Sequence, residues 1–227
     1  MEDLKIVFGD IHGCPEAAKK AIEIAESKNT QAIFLGDYID RGPDSVETLF
    51  ELIKAKRRNP SWIFIKGNHE YMLSEIIKNN ALLYKNSRLS TGENFSYYET
   101  SQTFDSIKVS SPVAVNEIEQ FLDELCPFYE DSSYIYVHSA LNNNAIPLSF
   151  KDQETLLWNY DYQPEWTMKH FVHGHDRVNQ ILYHGKGINI NTSCGFGGFL
   201  TGIVVDSKRC DVLEVINISE EGFVLER

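Results

Sequence analysis

The chain has 227 residues, of which 42% are hydrophobic and 24% are charged, and its formal net charge is −12 at pH 7. These values are typical of one globular domain that is large enough to bury a substantial core. The acidic charge argues against a broad nucleic-acid-binding surface, because such surfaces are usually basic.

The first part of the chain alternates apolar, β-rich runs with amphipathic helical segments. The apolar runs are residues 5–8, 32–35 and 62–65. Pro15 suits the first turn of a helix, and Asp44 with Glu47 predicts a capping box at the start of the next helix. A third helix is expected after Glu70. This alternation predicts right-handed βαβ units and a parallel sheet.

Residues 79–130 form a polar stretch that is rich in aromatic side chains, and a helix is expected over 115–125 within it. We interpret the stretch as an insertion that lies over one end of the sheet. Such a segment is a natural place for substrate specificity. The alternative, an insertion that only packs and never contacts substrate, remains open.

Strand-like runs dominate the second half, with little helix between the later ones. They are residues 134–137, 170–172, 181–183, 188–190, 199–205 and 212–218. An antiparallel or mixed sheet follows. The sequence therefore predicts an α/β fold in which two packed mixed β-sheets, a β-sandwich core, are flanked by helices. We expect a single domain over residues 1–227.

Four of the apolar runs end in clusters of Asp, Asn and His beside glycine. The clusters are residues 9–13, 36–42, 67–70 and 172–175. Ligands in open α/β sheets bind beyond the carboxyl ends of the strands, so these oxygen and nitrogen donors predict a metal site for two ions. Taken singly, Asp10 and His12 fit a surface turn, Asn68 a helix cap, and Asp40 with Arg41 a surface ion pair. Those readings do not explain why every cluster follows a strand.

The first three clusters, together with His138 and the Gly174-His175 pair, resemble the signature of the phosphoprotein phosphatase family of calcineurin-like metallophosphoesterases. The resemblance covers about Lys5 to Val205 and is nearest to the small bacterial and bacteriophage serine/threonine phosphatases. It implies the calcineurin-like fold and a dinuclear metal centre.

By this resemblance, the metal ligands are Asp10, His12, Asp37, Asn68, His138 and His175, with Asp37 bridging the two ions. Mixed carboxylate, imidazole and amide ligands suit manganese, with iron or zinc as alternatives. A hydroxide shared by two such ions would attack phosphorus in line.

The resemblance also assigns the groups that act on the substrate. His69 matches the general acid, Asp40 the carboxylate that orients it, and Arg41 a residue that binds phosphate oxygens. The family usually carries a second phosphate-binding arginine, and Tyr160 occupies that position here. We therefore include Tyr160 as a substrate-binding candidate, although a shifted alignment or another basic residue is an alternative.

Three further histidines and one arginine near the motifs receive no catalytic role. His173 precedes Gly174, whereas the family places its ligand after the glycine, so a supporting role is favoured for His173. Arg177 falls where many relatives in the wider superfamily carry another histidine ligand, which lowers support for the nuclease and phosphodiesterase branches. A plain surface charge is favoured for Arg177 over a phosphate contact. His170 and His184 are expected to be ordinary surface or strand residues.

The main functional hypothesis is a metal-dependent phosphomonoesterase, foremost a serine/threonine protein phosphatase. Its substrate would be a phosphorylated protein or a small phosphoester. The alternative is a dinucleoside polyphosphate (Ap4A-type) hydrolase, since such relatives share the three blocks and the Gly42-Pro43 pair. Against it, hydrolases of the symmetrical type usually replace the aspartate that Asp40 supplies here. The least favoured hypothesis is a non-catalytic, metal-stabilised binding module.

The sequence also suggests a location. The four cysteines (Cys14, Cys126, Cys194 and Cys210) lack the close spacing of zinc or redox sites, and free thiols in a reducing compartment are expected. The chain enters a strand almost at once, which leaves no room for a signal peptide. No apolar run approaches the length of a membrane span. We expect a cytoplasmic protein with neither membrane nor stable nucleic-acid partner; its oligomeric state is open.

Overall fold

The structure, a computed structural model, describes residues 4–78, 92–110, 112–141, 156–160 and 169–225. The helices are α1 (Pro15–Lys28), α2 (Ser45–Arg58), α3 (Asn68–Lys78), α4 (Gly92–Ser110) and α5 (Pro112–Asp123). The strands of the first sheet are β1 (Leu4–Phe8), β2 (Gln31–Phe34), β3 (Ile63–Phe64), β9 (Phe199–Asp206), β10 (Asp211–Ser219) and β11 (Val224–Leu225). Those of the second sheet are β4 (Phe128–Glu130), β5 (Tyr134–Val137), β6 (His170–His173), β7 (Leu182–His184) and β8 (Gly187–Asn189).

Both sheets are mixed. The first has the order β11-β10-β9-β1-β2-β3, in which β1 pairs in parallel with β2 and antiparallel with β9. The second has the order β4-β5-β6-β8-β7, with β5, β6 and β8 parallel and the two edge strands antiparallel. The α/β fold with two mixed sheets flanked by helices, predicted from the sequence, is confirmed.

Alternation along β1 explains how the sheets and helices pack. Val7 belongs to the apolar cluster between the two sheets, together with Ile33, Tyr134 and Val172, whereas Phe8 belongs to the cluster beneath the helices. Successive side chains of a strand point to opposite faces. Because both faces are covered, the central strands are apolar throughout rather than alternating.

Local signals set the starts of α1 and α2 as expected, whereas α3 begins earlier than expected, at Asn68. Pro15 opens α1, and the side chain of Asp44 accepts a hydrogen bond from the backbone N–H of Glu47 at 2.8 Å, which caps α2. The helix expected over 115–125 is α5, which begins earlier, at Pro112, and ends at Asp123.

The sequence did not predict α4, or the short strands β4 and β11. Helix α4 lacks a well-defined apolar stripe, and periodicity is the signal on which helix prediction depends. The insertion proposed over 79–130 includes residues 79–91, which lie outside the described part of the chain. Within the described ranges, no helix is both long and apolar enough to cross a membrane. All four cysteines are free thiols, with Cys14 and Cys194 buried.

Candidate metal centre

The turns that follow five strands bring the six candidate metal ligands to one edge of the sandwich. Asp10 and His12 follow β1, Asp37 follows β2, Asn68 follows β3, His138 follows β5 and His175 follows β6. Five of the six are buried, and His175 is partly buried. The two sheets thus contribute ligands to the same place.

These turns hold an unusual backbone conformation. Of the eight non-glycine residues with positive φ in the described chain, five lie at this site: His12, Asp37, Asp40, Arg41 and His175, with φ between 45° and 72°. Non-glycine residues rarely adopt this region, and such strain persists only where the surrounding structure enforces it. The clustering is typical of a functional site.

Hydrogen bonds fix the orientation of two imidazoles. Nδ1 of His12 lies 3.0 Å from the carbonyl oxygen of Ile39, and Nδ1 of His138 lies 3.0 Å from that of Leu35. Each Nδ1 therefore donates its proton to a carbonyl, which leaves the lone pair of Nε2 available to a metal. The two Nε2 atoms lie 3.7 Å and 3.4 Å from opposite oxygens of the Asp37 carboxylate.

Asp37 is common to two groups of donors. One group is His12, Asp37 and His69, and the other is Asp37, His138 and His175, each with donor atoms within 4.8 Å of one another. A carboxylate with one oxygen directed to each group is suited to bridging two ions.

The amide of Asn68 faces the second group. The amide atom that points inward lies 3.0 Å from Nε2 of His138, 3.2 Å from Nδ1 of His175, and 3.1 and 3.2 Å from the two Asp37 oxygens. An amide nitrogen in this position would be satisfied by hydrogen bonds alone. An amide oxygen would be surrounded by acceptors, which is favourable only if a cation lies among them.

Asp10 is held by groups that the sequence did not single out. Its carboxylate accepts hydrogen bonds from Nδ2 of Asn191 at 2.7 Å and from the backbone N–H of His175 at 3.1 Å. The absence of a side chain at Gly174 makes room for it, because a Cβ there would lie 2.0 Å from Oδ1 of Asp10. Asn191 also follows a strand-like run, so the strand-end signal that revealed the other residues extends to it.

The electrostatics of this group of donors fit divalent cations. Burial raises the pKa of Asp10 to about 8, and the nearby Asp37 carboxylate adds to the rise. Burial likewise lowers the pKa of His12 to about 4 and that of His175 to about 3. His138 differs from these two imidazoles: burial would lower its pKa, but Asp37 and Asp10 raise it to about 9. A metal that binds there would therefore displace a proton from His138. The residues fit the dinuclear centre that the resemblance implies.

His69 lies beside this group and forms a tight pair with Asp40. Nδ1 of His69 is 2.6 Å from Oδ2 of Asp40, and Nε2 of His69 is 3.9 Å from Oδ2 of Asp37. Burial alone would lower the pKa of His69, but Asp37 and Asp40 outweigh it and raise the pKa to about 9. The imidazole can therefore hold a proton on the nitrogen that points toward the metal ligands.

Helix α4 completes the surroundings of Asp40. The hydroxyls of Thr100 and Thr103 each donate to one of its carboxylate oxygens at 2.5 Å. Burial would raise the pKa of Asp40, but the hydrogen bonds from His69 and the two threonines lower it. The i, i+3 spacing of the threonines places them on one helix face, yet nothing in the sequence links that face to Asp40.

The two substrate-binding candidates differ in their surroundings. Arg41 forms an ion pair with Glu99 of α4. Tyr160 is 60% exposed, and its ring centroid lies 4.6 Å from that of His175. The structure thus brings Tyr160 to the second group of metal ligands and connects Arg41 with α4.

Glu70 is a further residue that the sequence left without a role. It is buried, and its two carboxylate oxygens accept the backbone N–H groups of Gly67, Asp37 and Tyr38 at 2.8–3.0 Å. Burial and the Asp37 carboxylate raise its pKa to about 7. These bonds join the turn after β3 to the turn after β2. Its position directly after Asn68-His69 was the available signal.

Two of the three remaining histidines, His173 and His184, pair with each other. Nε2 of His173 lies 2.8 Å from Nε2 of His184, and Nδ1 of His173 lies 3.0 Å from the carbonyl oxygen of Gly174. His170 is half-buried at the start of β6. Arg177 is exposed, and its guanidinium carbon lies 4.0 Å from the ring centroid of Phe196.

Comparison with known proteins identifies the family. The sequence profile of the family described as calcineurin-like phosphoesterase matches residues 6–198. The chain belongs to this family. It is accordingly a phosphoesterase, and members of the family bind a dinuclear metal.

The similarity to individual relatives is either low in sequence identity or confined to part of the chain. The chain is 25% identical to an asymmetrical bis(5′-nucleosyl)-tetraphosphatase, PrpE of Oceanobacillus iheyensis, over 97% of this chain and 94% of that protein. It is 47% identical to a PP2A-like serine/threonine-protein phosphatase of Candida albicans, over 28% of this chain and 16% of that protein. A solved structure provisionally described as a diadenosine tetraphosphatase has a TM-score of 0.59 and 16% identity, and the alignment covers 96% of this chain and 94% of that one.

Proposed function

We propose that this phosphoesterase hydrolyses dinucleoside polyphosphates, in the manner of an asymmetrical tetraphosphatase. The observation that carries the proposal is the extent of the match: the PrpE relative aligns with 97% of the chain, whereas the protein phosphatase aligns with 28% of it. The objection that Asp40 raised in the sequence concerned hydrolases of the symmetrical type. It does not apply to the asymmetrical type.

In this proposal, Asp10, His12 and Asp37 hold one divalent ion, and Asp37, Asn68, His138 and His175 hold the other. The donor set favours manganese, with iron or zinc as alternatives. When bound, the ions would supply Lewis-acid polarisation of a phosphate and a nucleophile at neutral pH. The protein's contribution is to fix the ligands, and Asn191 and Glu70 support that role because they hold Asp10 and the turns after β2 and β3.

His69 is the proposed general acid. A leaving nucleotide oxygen needs a proton, and Asp40 favours the imidazolium and fixes its orientation through the 2.6 Å contact at Nδ1. The opposite nitrogen, Nε2, is then the donor to the leaving group. Intact His69 and Asp40 also argue against the non-catalytic binding module.

Arg41 and Tyr160 are the proposed substrate-binding residues. The planar guanidinium of Arg41 suits phosphate oxygens. Tyr160 carries no charge at neutral pH, so it would contribute a hydrogen bond or its ring rather than compensate phosphate charge. The exposed ring beside His175 offers a surface for an uncharged part of a nucleotide.

The proposed specificity role of the insertion gains support from α4. Glu99, Thr100 and Thr103 of this helix contact Arg41 and Asp40, the phosphate-binding and acid-orienting groups. A segment that reaches these two residues can influence which substrate is accepted. We propose this role for the described part of the insertion, within a single domain.

A serine/threonine protein phosphatase remains the second candidate. It is favoured by the 47% identity to the PP2A-like protein over 66 residues. The strand-end clusters that both candidates share determine the reaction type more firmly than the substrate.

A substrate comparison tests the proposal. Manganese-loaded protein should hydrolyse diadenosine tetraphosphate with a higher kcat/KM than a phosphoserine or phosphothreonine peptide, and should yield adenosine triphosphate and adenosine monophosphate. Asp37→Asn should abolish hydrolysis of both, because it removes a carboxylate shared by both groups of ligands. A higher kcat/KM for the phosphopeptide would favour the protein phosphatase, and no turnover of any phosphoester would contradict both.

A further inference from the structure

A solvent-exposed aromatic side chain stands directly against the metal ligands. Phe196 is 41% exposed, and its ring centroid lies 5.4 Å from that of His12 in an edge-to-face arrangement. An apolar ring with this much exposure at the mouth of a charged site gains little from burial. Its exposure is better explained by contact with a ligand, since exposed aromatic residues beside functional sites commonly take part in ligand binding.

The turn that carries Phe196, residues 193–198, is held rigidly. Gly195 and Gly197 have φ of 81° and 82°, and their N–H groups both donate to Oε1 of Glu220 at 2.8 Å. The N–H of Phe196 itself donates to the carbonyl of Ser193 at 3.1 Å. Because the turn already holds the ring in place, less conformational entropy is lost when a ligand binds to it.

The backbone of this turn packs closely against His12, one of the proposed metal-binding residues. A Cβ on Gly195 would lie 2.5 Å from Cβ of His12, so only glycine allows the turn to pack against the metal-binding residue. This contact directs the next side chain, Phe196, toward the centre. The same geometry brings the ring within 5.4 Å of the guanidinium carbon of Arg41.

A second arginine accompanies the ring. The guanidinium carbon of Arg177 lies 4.0 Å from the centroid of Phe196, and Arg177 is exposed. Guanidinium planes and aromatic rings both stack on nucleobases. Arg177 would also compensate phosphate charge in a protein whose net charge is −12.

The other opening beside Arg41 has the wrong charge for a polyphosphate. A cavity of about 780 Å³ lies between α2 and α4. Its lining carries five carboxylates against two cations, Arg41 and Lys54; the carboxylates are those of Asp40, Asp44, Glu47, Glu51 and Glu99. Carboxylates repel a polyanionic chain, so the surface beside Phe196 and Arg177 is the more favourable path for a nucleotide that leaves the centre.

We propose that Phe196 and Arg177 form a nucleobase-binding platform beside the His12 half of the metal centre. The class of ligand is a nucleoside phosphate whose phosphate lies at Arg41 and the metal ligands. This inference rests on the proposed nucleotide hydrolase function and specifies how the nucleoside is recognised. Stacking tolerates different bases, so the platform favours purines over pyrimidines by ring size without reading their edges.

Binding of hydrolysis-resistant analogues tests the platform. The probes are α,β-methylene-adenosine diphosphate, its uridine counterpart and bare methylenediphosphonate, each titrated calorimetrically into manganese-loaded protein. The wild type should bind the adenine analogue about 5- to 150-fold more tightly than the bare diphosphonate, the range expected for stacking of one base. The uridine analogue should fall between them.

Substitutions assign this increment to the platform. Phe196→Leu, which keeps an apolar side chain but removes the ring, should abolish most of the ratio between the adenine analogue and the diphosphonate, and Phe196→Trp should retain it. Arg177→Gln should lower this ratio less than Phe196→Leu does, and it should weaken the binding of both the adenine analogue and the diphosphonate. Phe223→Ala is the matched control, because Phe223 is an exposed phenylalanine (68%) on the turn between β10 and β11 and should leave the ratio unchanged.

The outcomes separate the two proposals. A wild-type ratio near one, or a ratio that Phe196→Leu leaves intact, overturns the platform even if diadenosine tetraphosphate is hydrolysed. A ratio that depends on Phe196 in a protein that does not hydrolyse diadenosine tetraphosphate supports the platform and contradicts the proposed function. Metal content, measured on each variant, excludes loss of the His12 site as the cause.

Discussion

The two ends of the central strands use charged side chains in opposite ways. Beyond the carboxyl ends, Asp10 and Asp37 lie buried among imidazoles, and burial raises the pKa of Asp10 to about 8. At the other end, Asp131 has a direct cationic partner, since its Oδ2 lies 2.9 Å from Nζ of Lys5. It also accepts a hydrogen bond from the hydroxyl of Ser207 at 2.7 Å.

The side chains at the carboxyl ends of the strands serve the chemistry, and those at the opposite ends serve stability. The Asp131 contacts join β1, the residue that follows β9 and the start of β5, and they satisfy the carboxylate within the protein itself. The Asp10 and Asp37 carboxylates are arranged for a cation, and five residues with positive φ accompany them. One end of the strands therefore bears backbone strain and a cluster of buried donors for the chemistry, whereas the other end stabilises the sandwich.

The largest effect is expected from removal of the proposed acid. His69→Asn should lower kcat for diadenosine tetraphosphate by roughly 10²- to 10⁴-fold, the range for loss of a positioned proton donor, while both metals remain bound. The loss should be smaller for p-nitrophenyl phosphate, whose leaving group needs little protonation. Steady-state kinetics and metal analysis measure both. His170→Asn is the control, because His170 lies at the start of β6, away from the ligand-bearing end, and should not change kcat.

An equal loss with both substrates would contradict the acid role of His69. Loss of metal in His69→Asn would instead make it a ligand, a role that its place in one group of donors permits.

A smaller effect is expected from the threonines of α4. Replacing Thr100 and Thr103 together by valine removes both hydroxyl donors to Asp40 and should lower kcat roughly 5- to 50-fold. These hydroxyls help to hold the pKa of Asp40 low, so their loss should raise it and move the acidic limb of the kcat profile to higher pH. Kinetics across pH measure both changes.

Serine at both positions keeps the hydroxyls and should restore rate and profile. Ser106→Ala is the matched control on the same helix, because within the described ranges the Ser106 hydroxyl bonds its own helix backbone, at Gln102. If the valine variant lowers kcat without moving the pH profile, the threonines support packing rather than Asp40.

The smallest effect concerns the opposite end of the strands and stability alone. Burial would raise the pKa of Asp131, but Lys5, Ser207 and two backbone N–H groups lower it to about 2. A carboxyl with a lowered folded-state pKa stabilises the fold above its unfolded-state value and loses that contribution as the pH falls through the folded-state value. Asp131→Asn should therefore cost about 1 kcal/mol of unfolding free energy at pH 7.

The cost should fade as the pH falls from about 4 toward about 2,. Urea titrations of both proteins at several pH values measure it, with catalysis at pH 7 unchanged. Glu130→Gln, which alters the neighbouring exposed pair with Lys169, should change the unfolding free energy by a few tenths of a kcal/mol at most. A difference for Asp131→Asn that is the same at pH 7 and below pH 3 would contradict the electrostatic explanation.

Much of the fold could be predicted because its signals are local. The runs at 5–8, 32–35 and 134–137 became β1, β2 and β5 within a residue, since apolar strands buried on both faces stand out from their neighbours. The cap at Asp44 likewise depends on residues three apart. Helix α4 was missed because it lacks a well-defined apolar stripe. Its contacts with Asp40 and Arg41 span about sixty residues of sequence, and no local pattern encodes them.

The residues of the candidate site also fall into two groups, those that the sequence indicated and those that only the structure revealed. Asp10, His12, Asp37, Asn68, His69, His138 and His175 were named from the sequence because each follows a strand or completes a family motif, and the structure brings all of them together. Four residues that contact the site were not named from the sequence. Thr100 and Thr103 contact Asp40, Glu99 contacts Arg41, and Asn191 contacts Asp10. Arg177, interpreted as a surface charge, is exposed but packs on Phe196 beside His12.

The sequence by itself indicated the reaction class, because the donors at the strand ends and their order resemble the motifs of the calcineurin-like phosphoesterases, the family to which the chain belongs. Only the tertiary structure decided what surrounds that centre. Phe196 lies 184 residues from His12 in the chain, and Thr103 lies 63 residues from Asp40. Contacts over such separations depend on how sheets and helices pack, which strand-end motifs do not specify. The surroundings of the centre, and with them the proposed choice of substrate, were therefore visible only in the folded chain.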